Sequence, residues 1–328
     1  MPWTNASIVL NSRDATNGTY NALKFNANNQ NIIQGQIHSI SVNEVNFPYD
    51  IPNIQKGPIW SAAAAPLSGV NPYGIYNSFQ IFTDVIAPPG GVVLDIAITP
   101  GFYTGTELAT AINNAITAEN VAQGNPVTNA ADLPLCVYDN TSNIFSFTLA
   151  APVTAGLDWA FASPYTYPVN QTTASTNVLG KDILSIMGFQ TNQNGGNPLV
   201  SQADPFVAGG SAPLQFTQYV DICSPLMCQY QYFRDGSTTN LARRADVICR
   251  LYISNNVAIQ EQEGQRPLVI QRQFYNARVM RWSAESAVGT IDINLFDDVG
   301  QPLLYTWLPR PYQITFNCYE QDKDSITY

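Results

Sequence analysis

Few side chains in this sequence could carry out a reaction. His38 is the only histidine, and it lies within a strand-like pattern. A histidine-rich metal centre or a metalloprotease motif needs a second histidine, and a Ser or Cys triad would depend on His38 alone. The sequence therefore predicts a structural or surface role for His38 and no metal site built on imidazole.

The five cysteines form a second group of reactive side chains. They are an odd number spread over a long chain, and several lie in apolar strand patterns, which is typical of free buried thiols. Cys223 and Cys228 are close in sequence, but no second Cys/His pair completes a set of four zinc ligands. We predict free thiols at all five positions, namely Cys136, Cys223, Cys228, Cys249 and Cys318.

Two pairs of carboxylates could in principle supply the acid and base of a glycosidase. These are Asp297 with Asp298 and Glu261 with Glu263. A glycosidase needs its two carboxyl groups on either side of the scissile bond, and neighbouring positions in turn-like segments do not provide that separation. No G-x-S-x-G, P-loop or G-x-G-x-x-G motif occurs. The sequence thus predicts no enzyme, no catalytic residue, no cofactor and no metal.

The charge of the chain limits its partners. Only 12% of the residues are charged, about half the usual share for soluble domains. A surface so poor in charge is typical of extensive contact with other protein. The formal net charge of −10 argues against unspecific genome binding, because neutralising phosphates requires clustered Lys and Arg.

The basic residues are concentrated in one part of the chain. Lys181 is the only basic residue in residues 57–233, whereas residues 234–281 contain eight arginines and four acidic residues. Two interpretations remain open: an interaction surface, or arginines that pair with carboxylates elsewhere in the chain or in a neighbouring subunit. On the interpretation as an interaction surface, charge reversal of Arg278 and Arg281 is expected to impair assembly of the subunits while the monomer stays folded. We assign four residues to subunit contacts: Arg266, Arg272, Arg278 and Arg281.

Most of the chain has the alternating pattern of β-strands. It is clearest where Ile291, Ile293 and Leu295 fall on one face and polar residues fall on the other. Residues 297–300 then provide the Asp and Gly of a tight turn. About a dozen such strands predict a mainly antiparallel β-protein, a sandwich or jelly roll.

One segment has a helical period instead. Thr104 and Glu107 have the spacing of a capping box, and the apolar residues that follow predict an amphipathic helix to about Glu119. We place this helix in an inserted α+β segment, residues 84–210, between two parts of the jelly-roll core, residues 1–83 and 211–328. Residues 53–77 are predicted to be a long surface loop or arm that reaches a neighbour.

The beginning of the chain and its hydropathy bear on location. The first residues lack a positive region followed by an apolar core, and no apolar run approaches the length that spans a bilayer. The sequence therefore predicts neither export by a signal peptide nor a membrane span.

Four patches of sequence carry a resemblance to a known family. They are LNSRDATNGTYNALKF with HSISVNEVNFPYDIPNI; ITPGFYTGTELATAINNAI with IFSFTL and ILSIMGF; YVDICSPLMCQY with DVICRLYIS; and RPLVIQRQF, ARVMRW and VGTIDINLFDDVGQPL. In this order, the chain resembles the single jelly-roll penton and minor capsid proteins of large eukaryotic double-stranded DNA viruses, virophages and polinton-like viruses.

The resemblance implies a structural protein of the virion. Five copies would form a pentamer that closes a vertex of the icosahedral capsid, assembled inside the host cell, in contact with the major capsid protein and other minor capsid proteins. It carries over no catalytic residue. Two alternatives remain open: a single jelly-roll minor capsid protein at a non-vertex position, and a carbohydrate-binding attachment module in which exposed aromatic residues form a sugar platform.

Overall fold

The contacts within the chain divide the protein into two compact units. The computed structural model describes residues 5–26, 37–49, 52–56, 59–61, 70–84, 91–149, 151–163, 182–190, 198–214, 217–228, 246–253, 268–281, 289–298, 300, 302–303 and 311–320. Unit 1 comprises Met1–Ile51 and Thr217–Tyr328, and unit 2 comprises Pro52–Phe216. The second unit is therefore an insertion in the first.

The described residues are mostly strand. The strands of unit 1 are β1 (Asn5–Asn11), β2 (Asn17–Thr19), β3 (Ala22–Asn26), β4 (Ile37–Tyr49), β14 (Tyr219–Cys223), β15 (Val247–Tyr252), β16 (Leu268–Gln273), β17 (Val279–Arg281), β18 (Thr290–Phe296) and β19 (Gln313–Glu320). Those of unit 2 are β5 (Ile59–Ser61), β6 (Val70–Gly74), β7 (Ser78–Thr83), β8 (Val92–Ala97), β9 (Leu135–Asp139), β10 (Ile144–Thr148), β11 (Asp158–Ala162), β12 (Leu199–Ser201) and β13 (Phe206–Val207). The helices are α1 (Gly105–Ala122), α2 (Ile183–Ile186) and α3 (Pro225–Cys228), with 3₁₀ turns at Ser12–Asp14, Ile75–Asn77 and Ala130–Asp132.

Unit 1 is a jelly roll. Its sheets have the orders β1-β19-β4-β16, with β17 also paired to β4, and β15-β14-β18-β3-β2, and all pairs are antiparallel. We number the eight principal strands 1 to 8 along the chain (β1, β3, β4, β14, β15, β16, β18, β19). The first sheet then has the order 1-8-3-6, and the second, read from its β3 end, has the order 2-7-4-5. This is the double Greek key of an eight-stranded jelly roll, so the predicted fold class is confirmed.

The core of unit 1 follows the alternation seen in the sequence. Ile291, Ile293 and Leu295 of β18 are fully buried in one apolar cluster with residues of β4, β14, β15 and β19. The turn after β18 is confirmed, because Gly300 donates from its amide to the carbonyl of Asp297 and has a φ of 78°. Gly300 adopts this left-handed conformation without the steric penalty of a Cβ.

Unit 2 contains the predicted helix. Thr104 accepts from the amide of Glu107 at 3.3 Å, and the Glu107 carboxylate accepts from the amide of Thr104 at 2.8 Å, so the capping box is confirmed. The apolar stripe of α1 is buried against β8 and β9. Among the described residues, no helix is both long and apolar enough to cross a membrane.

Two sheets complete unit 2, in the orders β12-β11-β7-β8 and β13-β10-β9, beside the β5–β6 hairpin. Their apolar side chains share one cluster with α1 and α2. The centre of this cluster is aromatic: Phe147 contacts Phe79, Phe161, Phe189 and Phe206 at ring-centroid distances of 4.5–6.4 Å.

The observed boundaries of the insertion differ from the sequence expectation. The contacts place the boundaries between residues 51 and 52 and between residues 216 and 217. The sequence expectation placed them between residues 83 and 84 and between residues 210 and 211. The strand β7 belongs to unit 2 because its partners are β8 and β11. Residues 53–77 are also not simply a surface loop, because Ile54 is fully buried and bridges to Gly101, and β5 pairs with β6.

Asp132 connects two loops of unit 2. It is 4% exposed, and its carboxylate accepts from the Val153 amide at 2.6 Å and from the amide and hydroxyl of Thr154 at 3.2 and 2.8 Å. Its carbonyl accepts from the indole of Trp159 at 2.8 Å. Burial raises the pKa of Asp132, but the hydrogen bonds from Thr154 and Val153 lower it by more, so the pKa lies below its ordinary value.

This carboxylate predicts an acid-sensitive contribution to the stability of unit 2. A lowered folded-state pKa contributes stability that is present above the unfolded value, about 3.9, and is lost as the pH falls through the folded value. We expect Asp132→Asn to be less stable than the wild type at pH 6, and the difference to shrink at pH 3. Urea unfolding of both proteins at the two pH values measures this. An equal difference in the free energy of unfolding at both pH values would contradict the prediction.

Candidate assembly interface

Three of the four arginines assigned to subunit contacts, Arg272, Arg278 and Arg281, belong to one lateral edge of the jelly roll. β15 is the last strand of one sheet, and β16 and β17 lie end to end beside β4 at the border of the other. The guanidinium of Arg278 donates to the carbonyl of Val247 at the start of β15, at 2.6 Å. This hydrogen bond shows that the border strands of the two sheets meet at the same edge, which we call the arginine edge (residues 247–252 and 268–281).

The predicted residues have different places at this edge. Arg272 lies on β16 with an exposed side chain, and Arg278 is exposed just before β17. Arg281 ends β17, where its backbone is paired with Ser39. Arg266 lies outside the described residues. The structure therefore brings three of the four residues to one edge.

The exposed surface of β16 is polar and uneven. Gln271, Arg272, Gln273 and Tyr275 surround a shallow depression of about 450 Å³, and Tyr275 is 90% exposed. Gln271 donates to the carboxylate of Glu44, at 2.5 Å, which keeps that acid beside β16. Among the contacts within the described part of the chain, no hydrogen bond or ion pair involves the Arg272 guanidinium. Arg278, in contrast, has a hydrogen bond within the fold.

A second cluster at this edge combines charge with aromatic rings. Arg250 donates to both carboxylate oxygens of Asp221, at 2.6 and 2.9 Å, and its guanidinium carbon lies 3.8 Å above the ring of Tyr219. Tyr219 makes an edge-to-face contact with Tyr252, which is 66% exposed. The hydrogen bonds and charge of Asp221 raise the pKa of Arg250 above its ordinary value, so the guanidinium stays charged.

The cluster is ordered before any partner binds. Bidentate hydrogen bonding and ring contact restrict the rotamers of Arg250 and Tyr219. Tyr and Arg are the residue types most enriched in the energetic centres of interfaces, and a preordered side chain loses less entropy on binding. The arginine edge therefore has the composition of a protein-binding surface.

Comparison with known proteins was made on the whole chain. No protein-family model matches it, and no curated protein matches it. Among solved structures, it is similar to the penton protein of mavirus, with 13% identity, a TM-score of 0.49 and coverage of 97% of this chain and 98% of that chain. It is also similar to a chain of the Sputnik virophage, with 12% identity, a TM-score of 0.47 and 99% of both chains covered. The jelly-roll assignment itself rests on the strand order of unit 1.

The alternation of β14 and β15 contains a sequence signal for the cluster of Arg250, Asp221, Tyr219 and Tyr252. On β14 the apolar residues Val220 and Ile222 are buried in the core, and strand alternation places Tyr219 and Asp221 on the opposite face. On β15 the corresponding outward residues are Arg250 and Tyr252. The pairing of β14 with β15 then brings the two sets together, and this pairing could not be read from either strand alone.

The cysteines are free thiols within the described chain, as predicted. Four are buried and Cys228 is half-buried. Burial raises the pKa of Cys136 and Cys249, and burial, with smaller effects from nearby charges, raises the pKa of Cys228 to about 11. A thiol with a raised pKa is a poor nucleophile at neutral pH, so these side chains are part of the packing.

Proposed function

We propose that this chain is a structural subunit of a capsid vertex, a penton that forms pentamers closing an icosahedral shell. The observation that carries the proposal is the eight-stranded jelly-roll order of unit 1, the fold implied by the sequence resemblance. A jelly roll is an architecture shared by viral capsid proteins and lectins. The resemblance favours the capsid role, with the major capsid protein and other minor capsid proteins as partners and the virion as location.

The surface of unit 1 suits this role. A closed ring of five copies needs a heterologous interface, in which one surface of a subunit meets a different surface of the next. The arginine edge offers a distinct surface, since Arg272 and Tyr275 are exposed there beside the ordered Arg250–Tyr219 pair. We propose Arg266, Arg272, Arg278 and Arg281 as contributors to subunit contacts.

The oligomeric state tests the proposal. The purified full chain at physiological salt is expected to have the mass of five subunits by native mass spectrometry, and averaged electron micrographs should show fivefold rings. Incubation with the other shell proteins should incorporate these rings into particles. A stable monomer that is never incorporated into particles would refute the proposal.

A further inference from the structure

The first strand of the jelly roll is an open sheet edge. β1 is the terminal strand of its sheet, and it pairs with β19 through all seven residues from Asn5 to Asn11 without a register shift. In the part of the chain that the structure describes, no strand pairs with its other side. Its sequence, NASIVLN, contains no charge and no proline. It therefore presents an unbroken row of backbone groups.

The other edge strands have features that oppose pairing. Proteins protect such edges with charges, prolines or very short strands. Of the edge strands described, β2, β5, β12, β13 and β17 have three residues or fewer, and β6 contains Pro72. The longer ones contain charged residues: Asp95 in β8, Asp139 in β9, Arg250 in β15 and Arg272 in β16. β1 is the exception among them.

The direction of the backbone groups in β1 follows from one hydrogen bond. The amide of Ser12 donates to the carbonyl of Tyr312 at 2.9 Å, so Ser12 faces β19. Because backbone groups alternate along an antiparallel strand, Ile8 also faces β19, and the amides and carbonyls of Ser7 and Val9 face away from it. These groups are positioned to bond an additional strand.

The side chains at this edge are also incompletely covered. Leu10 is 8% exposed in the core, but Ile8, which points to the same face and packs against the core, is only half-buried. Val9 on the opposite face is 56% exposed. A strand added beside β1 would cover Ile8 if it carried apolar residues at alternate positions.

We propose that β1 accepts an extended segment of a different shell protein, which joins the sheet as an additional strand. The segment is uncharged and free of proline, with apolar residues at alternate positions. The choice of a different protein rests on the proposed function. Antiparallel pairing of β1 with the β1 of a second copy needs a twofold axis, which a closed ring of five does not contain. The other described edge strands of this chain are charged, contain proline or are too short.

A proline substitution at Val9 tests the outward backbone groups of β1 selectively. The amide of Val9 faces away from β19, so Val9→Pro removes an outward donor without breaking the β1–β19 ladder. Val9→Thr retains the amide and is the matched control. A second variant, Ser7→Lys with Val9→Lys, adds charge to the same edge. Thermal unfolding checks that each variant is folded.

The probe is a fluorescent peptide of alternating threonine and valine with two terminal lysines for solubility, titrated with the full chain and followed by anisotropy. We expect wild type and Val9→Thr to bind with the same affinity. Val9→Pro and the double lysine variant should weaken binding at least tenfold. No binding to the wild type, or equal binding by Val9→Pro, would refute the proposal.

The same samples distinguish this proposal from the proposed function. Native mass spectrometry should give the same pentamer for the wild type and for Val9→Pro, since β1 receives a foreign segment. Peptide binding without pentamers would remove the penton role and leave the strand-accepting edge. Wild-type dimers that Val9→Pro dissociates would show that the occupant is a second copy, and our choice of partner would be wrong.

Discussion

Phe147→Ala is expected to lower the free energy of unfolding of unit 2 by about 3–5 kcal/mol, the range for removing a buried phenylalanine ring. Phe147 is fully buried in β10. The four rings around it belong to elements held by their own hydrogen bonds, so they cannot close the space that alanine leaves. The loss combines the hydrophobic transfer of the ring with an unfilled cavity. Urea unfolding followed by fluorescence measures it in the transition of unit 2.

A matched control for this substitution lies on a neighbouring strand. Val207 of β13 is 51% exposed, so Val207→Ala also shortens a side chain in this sheet but creates no cavity. Its effect should stay within about 0.5 kcal/mol. A loss below about 1 kcal/mol for Phe147→Ala would show that the aromatic cluster can collapse, contrary to the packing described.

The second large effect is expected in assembly. In the proposed pentamer, Arg272→Glu should raise the concentration at which the subunits dissociate by at least about 30-fold, because reversing a charge at a subunit contact costs about 2 kcal/mol or more. The monomer should keep its stability within about 0.5 kcal/mol, since the Arg272 side chain is exposed and makes no described contact within the chain. Sedimentation over a range of concentrations, together with urea unfolding, measures both quantities.

Two further variants make this test specific. Arg13→Glu changes the net charge equally in the exposed turn after β1, and it should leave the pentamer intact. Equal loss of pentamers in both variants would indicate a general charge effect. Arg278→Glu is less informative than the sequence suggested, because it also removes the hydrogen bond to Val247 and should destabilise the monomer.

Local features of the fold were predictable because each depends on a few neighbouring residues. The capping box at Thr104 and Glu107 needs only their spacing, and the buried face of β18 needs only alternation. Asp182 caps α2 and Gly188 ends it with a φ of 89°, again from local chemistry. Such signals identify an element but not its neighbours in a sheet.

The assembly surface was predictable only in part. Clustered arginines indicated residues 234–281, but their sequence could not show that Arg278 donates to Val247 within the fold. The pairing of Arg250 with Asp221 depends on the register of β14 against β15. A shift by one residue would reverse the faces and separate the two side chains.

The sequence by itself determined the class of the fold and the kind of surface. Alternating apolar residues, one amphipathic helix and a charge-poor composition specify an antiparallel β-protein with a core, because periodicity decides which side chains avoid water. Only the tertiary structure decided which strands far apart in the chain are neighbours. Strand pairing joins residues far apart in the chain, such as Asn5 with Tyr319 and Asn11 with Gln313. That pairing also places β1 and the arginine edge at the borders of their sheets among the described strands.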